Sequence, residues 1–309
     1  MTLRVTFLGN DSWSVPSLRA VARSVHDIVA VVTAVPKPAG RGNRLTPTPV
    51  AHAARELELP LIEVQTVRCD PGGSLLASSE PDVLAVVAYG ELLPRAVLGL
   101  PKVAPVNLHF SLLPRLRGAS PVQTALLLGE DETGVTTIVM DEGMDSGPIV
   151  LQRPEPVDPD DDAGSLGARL AALGADVLVE SIDLLGSGRA TRTAQDDALA
   201  TFAPRLGPRD RVLDWSNDAR DLVNRTRAFS PEPGATTTFR GRDLKVVRAE
   251  VVPASGEPGA VVEVDKDGFV VATGDAGFRP LELAPAGSDR MRAKDFLNGY
   301  RPTVGEHLG

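Results

Sequence analysis

The sequence predicts an α/β protein, a parallel-dominated sheet covered on both faces by helices, followed by a small β-barrel domain. Three observations carry that expectation. Up to Leu185, short apolar runs alternate with stretches of helical periodicity, the pattern of a parallel sheet with crossover helices. Beyond a polar stretch the pattern changes to short β-rich segments separated by turns, as in a small barrel. The length, 309 residues, suits two domains.

In chain order, Leu3 to Leu8 is an apolar run ending at Gly9 and reads as a first buried strand. Val15 to Val25 has helical spacing with Pro16 at an early helical position. Ile28 to Thr33 is a second β-rich run, and Pro36 to Pro49 is a loop by composition. Val50 to Leu57 reads as a helix, Leu61 to Val64 as a short strand, Val83 to Ala88 as a fully apolar strand and Pro105 to Leu108 as another. Ser120 to Leu128 has a helix start signal; Val135 to Met140 and Ile149 to Val157 are β-like, with Asp141 to Gly147 between them. Ser165 to Leu185 is a long alanine- and leucine-rich helix, and the polar stretch Gly186 to Pro208 reads as a linker. Ala219 to Phe229 is helix-like. The segments Ala235 to Phe239, Leu244 to Val252, Gly259 to Val264, Phe269 to Thr273 and Pro280 to Leu283 are β-rich, separated by turns such as Asp267-Gly268.

Composition narrows the function classes. Hydrophobic residues make up 42% and charged residues 24%, an ordinary globular balance. The net charge of −9 argues against a protein that simply coats nucleic acid. Of the 32 Lys+Arg and 41 Asp+Glu, 16 of each fall within Arg205 to Gly309, so that part is neutral and the remainder carries the whole excess of acid. An RNA partner would therefore need local basic patches. The single cysteine, Cys69, cannot form an internal disulfide and reads as a small, partly buried apolar residue. No metal-ligand spacing is present, and no run approaches the roughly 20 apolar residues of a membrane span. A cytoplasmic protein, with a monomer as the default, is expected.

The residues that could carry chemistry lie at Asn107-Leu-His109-Phe-Ser-Leu-Leu-Pro114-Arg-Leu-Arg-Gly118. Asn107 and His109 are two apart, so on an extended backbone both side chains point to one face. An amide donor and an imidazole together can polarise a carbonyl and handle a proton. Downstream, Asp141, Glu142 and Asp145 lie in a glycine-containing turn between two strands, which could return a carboxylate toward the histidine. Taken singly, His109 could equally be a structural histidine, Asn107 a cap, and the acids a solvated turn. From the residues alone the combination amounts to a possible acid/base site in an α/β fold.

Asn-x-His-x-Ser-Leu-Leu-Pro followed by Arg-x-Arg-Gly, then Gly-Val-Thr and Met-Asp-x-Gly-x-Asp-x-Gly-Pro, resembles the folate-dependent formyltransferase family. The resemblance implies a Rossmann-like domain using 10-formyltetrahydrofolate as formyl donor. It further implies that Asn107, His109 and Asp145 are catalytic and that Ser111, Leu112, Leu113 and Pro114 line the folate site. The segment Pro38-Ala-Gly-Arg-Gly-Asn-Arg-Leu-Thr-Pro looks like the loop with which the tRNA-acting branch of the family reaches the acceptor stem, and Arg41 and Arg44 can contact phosphates or base edges. Asp214-Trp-Ser, Arg227-Ala-Phe-Ser-Pro-Glu-Pro-Gly-Ala and Ala293-Lys-Asp-Phe-Leu-Asn-Gly-Tyr resemble the same branch, whose C-terminal part is an OB-like barrel that helps hold tRNA. The implied partner is initiator methionyl-tRNA. The implied organisation is a catalytic domain over 1–187, a linker over 188–205 and an OB-like domain over 206–309. Two short segments depart from the family pattern. Gly9-Asn10-Asp11 stands where Gly-Thr-Pro is usual, and Ala34-Val35-Pro36 where Gln-Pro-Asp is usual.

Overall fold

The computed structural model describes residues 1–39 and 44–309. Arg41 lies outside the described residues. From the N-terminus the elements run β1 (Arg4–Gly9), α1 (Val15–Arg23), β2 (Asp27–Ala34), β3 (Lys37–Ala39), β4 (Arg44–Thr46), α2 (Pro49–Glu56), β5 (Leu61–Val64), α3 (Gly72–Ala77) and β6 (Val83–Val87). Then follow α4 (Arg95–Leu98), β7 (Ala104–His109), β8 (Arg117–Gly118), α5 (Pro121–Leu128), β9 (Glu132–Val139), β10 (Ile149–Pro156), α6 (Ala163–Gly186) and β11 (Phe202–Ala203). Two compact units emerge: one of residues Met1–Pro121, Glu132–Pro156 and Gly167–Pro204, the other of Val122–Asp131, Val157–Leu166 and Arg205–Gly309.

The first unit is built on a seven-stranded sheet of order β10-β9-β7-β6-β1-β2-β5. The strands β1, β2, β5, β6 and β7 are parallel, while β9 runs antiparallel to β7 and β10 antiparallel to β9. The apolar runs in β1 and β6 follow from cover on both faces: Val83 to Val87 are all buried, as are Val5 to Gly9. Chain order runs from β1 outward to β5 and then returns to β6 and β7, so the direction of winding reverses between β1 and β6. Ligands of such sheets sit outside the carboxyl ends of the strands near that reversal.

At the reversal, Asn10 ties three strands together. Its Oδ1 accepts from Thr33 Oγ1 at 2.9 Å and from the Ala34 N–H at 2.8 Å, and its Nδ2 donates to the Tyr89 carbonyl after β6. The two departures from the family pattern are therefore in contact. A side-chain amide, which donates and accepts at once, joins them. Below them, Leu8, Val32, Leu84, Val86 and Tyr89 pack with Val67, Leu76 and Val97 from the short connections.

Several local features differ from the sequence-based expectation. The stretch expected as a loop contains β3 and β4, paired antiparallel from Lys37↔Thr46 to Ala39↔Arg44. The helices α3 and α4 are too short to show a helical period. Cys69, expected to be partly buried, is exposed, because it lies in the turn leading into α3, where its carbonyl accepts from the Gly73 N–H.

In the second unit, α7 (Ala219–Phe229) is followed by β12 (Ala235–Phe239), β13 (Arg242–Val252), β14 (Val261–Val264), β15 (Phe269–Ala272), β16 (Gly277–Pro285), β17 (Met291–Arg292) and α8 (Ala293–Tyr300). The sheet order is β12-β13-β16-β15-β14, with β17 on β16. The two edges, β12 and β14, are joined by the last residues of the chain: Phe239 bridges Leu308, and Ala260 bridges His307. That bridging turns an open sheet into a closed barrel and leaves neither edge bare there. Inside, Phe296 of α8 has its ring 5.6 Å from Phe239 and 5.7 Å from Phe269, and stacks on Tyr300 at 4.3 Å. Leu222 and Val223 of α7 complete this core with Trp215 and Phe278.

Candidate active site

Asn107 and His109 end strand β7, at the carboxyl edge of the sheet, and their alternation puts both on one face. Leu108, between them, points the other way, against Gly174 of α6: a Cβ there would stand 2.7 Å from Leu108 Cδ2, so the glycine permits that close approach. Asp145 comes from the turn between β9 and β10. It adopts a left-handed conformation, φ +54°, which turns its carboxylate inward.

The three side chains meet. Asp145 Oδ2 lies 3.6 Å from His109 Nδ1, and Asp145 Oδ1 lies 3.4 Å from Asn107 Nδ2. The firm bond to the carboxylate is from the Gly118 N–H to Oδ2 at 2.9 Å. His109 is buried, and its Nε2 is 2.9 Å from the Leu116 carbonyl, a group that only accepts, so that nitrogen carries a hydrogen. A proton on Nδ1 would then face the carboxylate. Tight charge-assisted hydrogen bonds span about 2.7–2.9 Å. At 3.4 and 3.6 Å the Asn107 amide and the imidazole are held toward the carboxylate without being saturated by it. Both can still turn to a carbonyl oxygen placed between them.

The other acids of the turn behave differently. Asp141 Oδ1 accepts from the Gly143 N–H and from Ser146 Oγ, each at 2.9 Å, and so shapes the loop itself. Glu142 makes an exposed ion pair with Arg95 at 3.4 Å. Only Asp145, of the three acids that the sequence nominated, bonds to Asn107 and Gly118.

The segment Ser111 to Pro114 follows β7 directly. Ser111 Oγ donates to the Arg115 carbonyl at 2.6 Å, and Thr136 Oγ1 donates to the Ser111 carbonyl at 2.6 Å while accepting from the Leu113 N–H at 3.1 Å. Gln152 Nε2 donates to the Leu113 carbonyl at 2.8 Å. Leu112 lies against Gly134 of β9. The segment is thus pinned to β9 and β10, with Leu112 and Pro114 partly exposed and Ser111 and Leu113 buried.

Nearby, burial, with the charge of Glu91 second, pushes the Tyr89 phenol well above its ordinary value, so it stays protonated. Arg44 is exposed on β4. Among the described residues, no cluster of three His, Cys, Asp or Glu side chains is placed to hold a metal ion, and no helix is long and apolar enough to cross a membrane.

Sequence reasoning missed one residue here. Gln195, in the stretch that reads as a linker, donates to the carbonyls of Asp145 and Gly147, each at 2.7 Å. Its Oε1 accepts from Arg117 Nε at 3.0 Å and Nη2 at 2.8 Å. No signal in the sequence marked it: a buried guanidinium requires a partner, but the burial of Arg117 is a property of the fold.

Residues 3–182 match the family described as formyl transferase, and residues 205–301 match the formyl transferase C-terminal domain. The methionyl-tRNA formyltransferase of Roseiflexus castenholzii is 45% identical over 314 aligned residues, covering 100% of both chains. That of Geobacter sulfurreducens is 39% identical, covering 99% of this chain and 97% of its own. Among solved structures, methionyl-tRNA formyltransferase from Clostridium thermocellum has a TM-score of 0.56 at 16% identity, covering 80% of this chain and 93% of that one, a likeness of fold. By sequence, over both of its parts, the chain belongs to the formyl transferase family.

Proposed function

We propose that this protein transfers the formyl group of 10-formyltetrahydrofolate to the free amino group of methionine on initiator methionyl-tRNA, the step that prepares that tRNA for translation initiation. The reading rests on relatives that carry this activity in their names over their full lengths. The observation that carries the chemistry is the meeting of Asn107, His109 and Asp145 around one small space at the end of β7.

In this reading the neutral amine of the acceptor attacks the formyl carbon, forming the new C–N bond and a tetrahedral centre with an oxyanion. The Asn107 amide and the His109 imidazolium donate to that oxygen. Asp145, held by Gly118, balances the charge on His109 and takes the proton released by the attacking nitrogen. Collapse breaks the bond from carbon to the folate nitrogen, which leaves with the proton that Asp145 took from the amine, and no covalent enzyme intermediate forms. Alignment of the two substrates supplies much of the acceleration. The segment Ser111, Leu112, Leu113 and Pro114 lines the folate site, and Arg41, Arg44 and the second unit contact the tRNA. The protein acts as a monomer in the cytoplasm. Its functional division is a catalytic domain over 1–187 and a tRNA-binding domain over 206–309, with the connecting stretch 188–205 packed, up to Pro204, within the first compact unit.

The test is formyl transfer with purified protein, using charged initiator tRNA as acceptor and charged elongator tRNA as control. Wild type should formylate the first and not the second. His109→Ala and Asp145→Asn should each lose on the order of 10²–10⁴-fold in kcat while folding normally. Near wild-type turnover by either variant removes this mechanism.

A further inference from the structure

Gln195 joins two parts of the site that are otherwise far apart in sequence. Its single side chain makes four hydrogen bonds. The Nε2 hydrogens go to the carbonyls of Asp145 and Gly147, and Oε1 receives the Nε and Nη2 hydrogens of Arg117. Only one orientation of the amide satisfies this set, because carbonyls accept and a guanidinium donates. Arg117 is buried and its Nη2 also pairs with Asp197 at 2.8 Å. The next residue is Gly118, whose N–H holds Asp145 Oδ2 at 2.9 Å. The Asp145 backbone and the Asp145 carboxylate are thus fixed from the same short strand, the first through Gln195 and Arg117 and the second through Gly118.

This bracing has a physical task. Asp145 occupies φ +54°, a conformation that L-residues populate sparsely, Asp more readily than most, so the contacts to its carbonyl help decide whether the turn keeps it. Released from its carbonyl contacts, the turn relaxes, and the carboxylate swings away from Asn107 and His109. A displacement of an ångström at a reacting group is enough to cost on the order of 10²-fold in rate.

We infer that Gln195 is a positioning residue for formyl transfer: it holds the left-handed turn that aims the Asp145 carboxylate at His109. The inference rests on the assignment of Asp145 to the chemistry made above. Gln195 touches no reacting atom, so its effect falls on kcat and leaves the KM values for folate and tRNA nearly unchanged.

The experiment compares Gln195→Leu, Gln195→Glu and Asp145→Asn in steady-state formyl transfer with both KM values, alongside thermal unfolding of each variant. A glutamate keeps the acceptor for Arg117 and loses both donations to the turn. Gln195→Glu should therefore unfold close to wild type and still lose on the order of 10²-fold in kcat; it serves even if the leucine variant fails to fold. Restored kcat in Gln195→Glu would mean that the residue merely anchors Arg117, and would overturn the inference. So would a loss confined to KM. Inactive Asp145→Asn beside fully active Gln195 variants overturns this inference alone, whereas fully active Asp145→Asn overturns it together with the assignment of Asp145.

Discussion

At the scale of single residues, the site depends on backbone positions that tolerate few side chains. Gly118 is the sharpest case. Its φ is +124°, and a Cβ there would stand 2.5 Å from the Ala203 carbonyl oxygen on β11. Gly118→Ala must move either β8 or β11, and the strained conformation alone costs about 1–3 kcal/mol. The variant should unfold at a lower temperature than wild type and lose formyl transfer, since the Gly118 N–H that holds Asp145 moves with the strand. An alanine variant with unchanged melting and activity would show that the carboxylate is held some other way. The sequence makes part of this scale legible. The two-residue spacing of Asn107 and His109 predicts a shared face, and the turn after them offers a carboxylate. It does not make Gln195 legible, because one glutamine among Thr193, Asp196 and Asp197 looks like any polar linker residue until the strand it braces is folded beneath it.

At the scale of elements, what the sequence shows depends on how completely an element is buried. The strand β6 is legible because both faces are covered and the run is apolar throughout, and β1 and β2 because most of their residues are apolar and buried or partly buried. The short helices α3 and α4 carry no period, and the antiparallel direction of β9 cannot be read from a β-like run, since direction is a property of pairing. The closing segment of the barrel is likewise hidden in the sequence, yet it has a distinct anchor. Arg240 hydrogen-bonds Glu306 through Nε at 2.7 Å, and Glu306 also accepts from the Thr303 N–H at 2.7 Å. The Arg240 hydrogen bond, ahead of those from Thr303, holds the Glu306 carboxyl at about 2, well below its ordinary 4.5. A carboxyl depressed in the folded state contributes stability that is fully present above the unfolded value and is lost as pH falls toward the folded one. Arg240→Ala should therefore lower the melting temperature slightly at neutral pH, and its gap from wild type should close as pH falls from about 4.5 toward 2. Melting curves across that range check it; a gap that stays constant on acidification would show that Arg240 acts through packing on Phe239, which it covers at 4.7 Å.

At the scale of the whole molecule, the net charge of −9 sets a problem for a protein whose acceptor is a polyanion. Two electrostatic effects oppose each other in salt. Long-range repulsion between an acidic protein and RNA weakens as salt rises, which would strengthen binding. Local contacts between Arg or Lys and phosphate release counterions, so salt weakens them, by roughly 0.7–0.9 of a logarithmic unit in affinity per contact for each tenfold change. The charge distribution decides between them. Residues Arg205 to Gly309 carry 16 basic and 16 acidic residues, so the excess of acid lies elsewhere and cations there can meet phosphate without a net opposing field. Screened repulsion acts through a Debye length of about 10 Å at moderate salt and is the weaker effect at contact. Affinity for charged initiator tRNA should accordingly fall with added salt. Arg44→Ala, removing an exposed cation on β4, should reduce the slope by about 1 if that side chain contacts a phosphate. Titrations of tRNA binding over a range of monovalent salt measure both quantities, and affinity that rises with salt would mean that the global field, not local cation–phosphate contacts, governs the encounter.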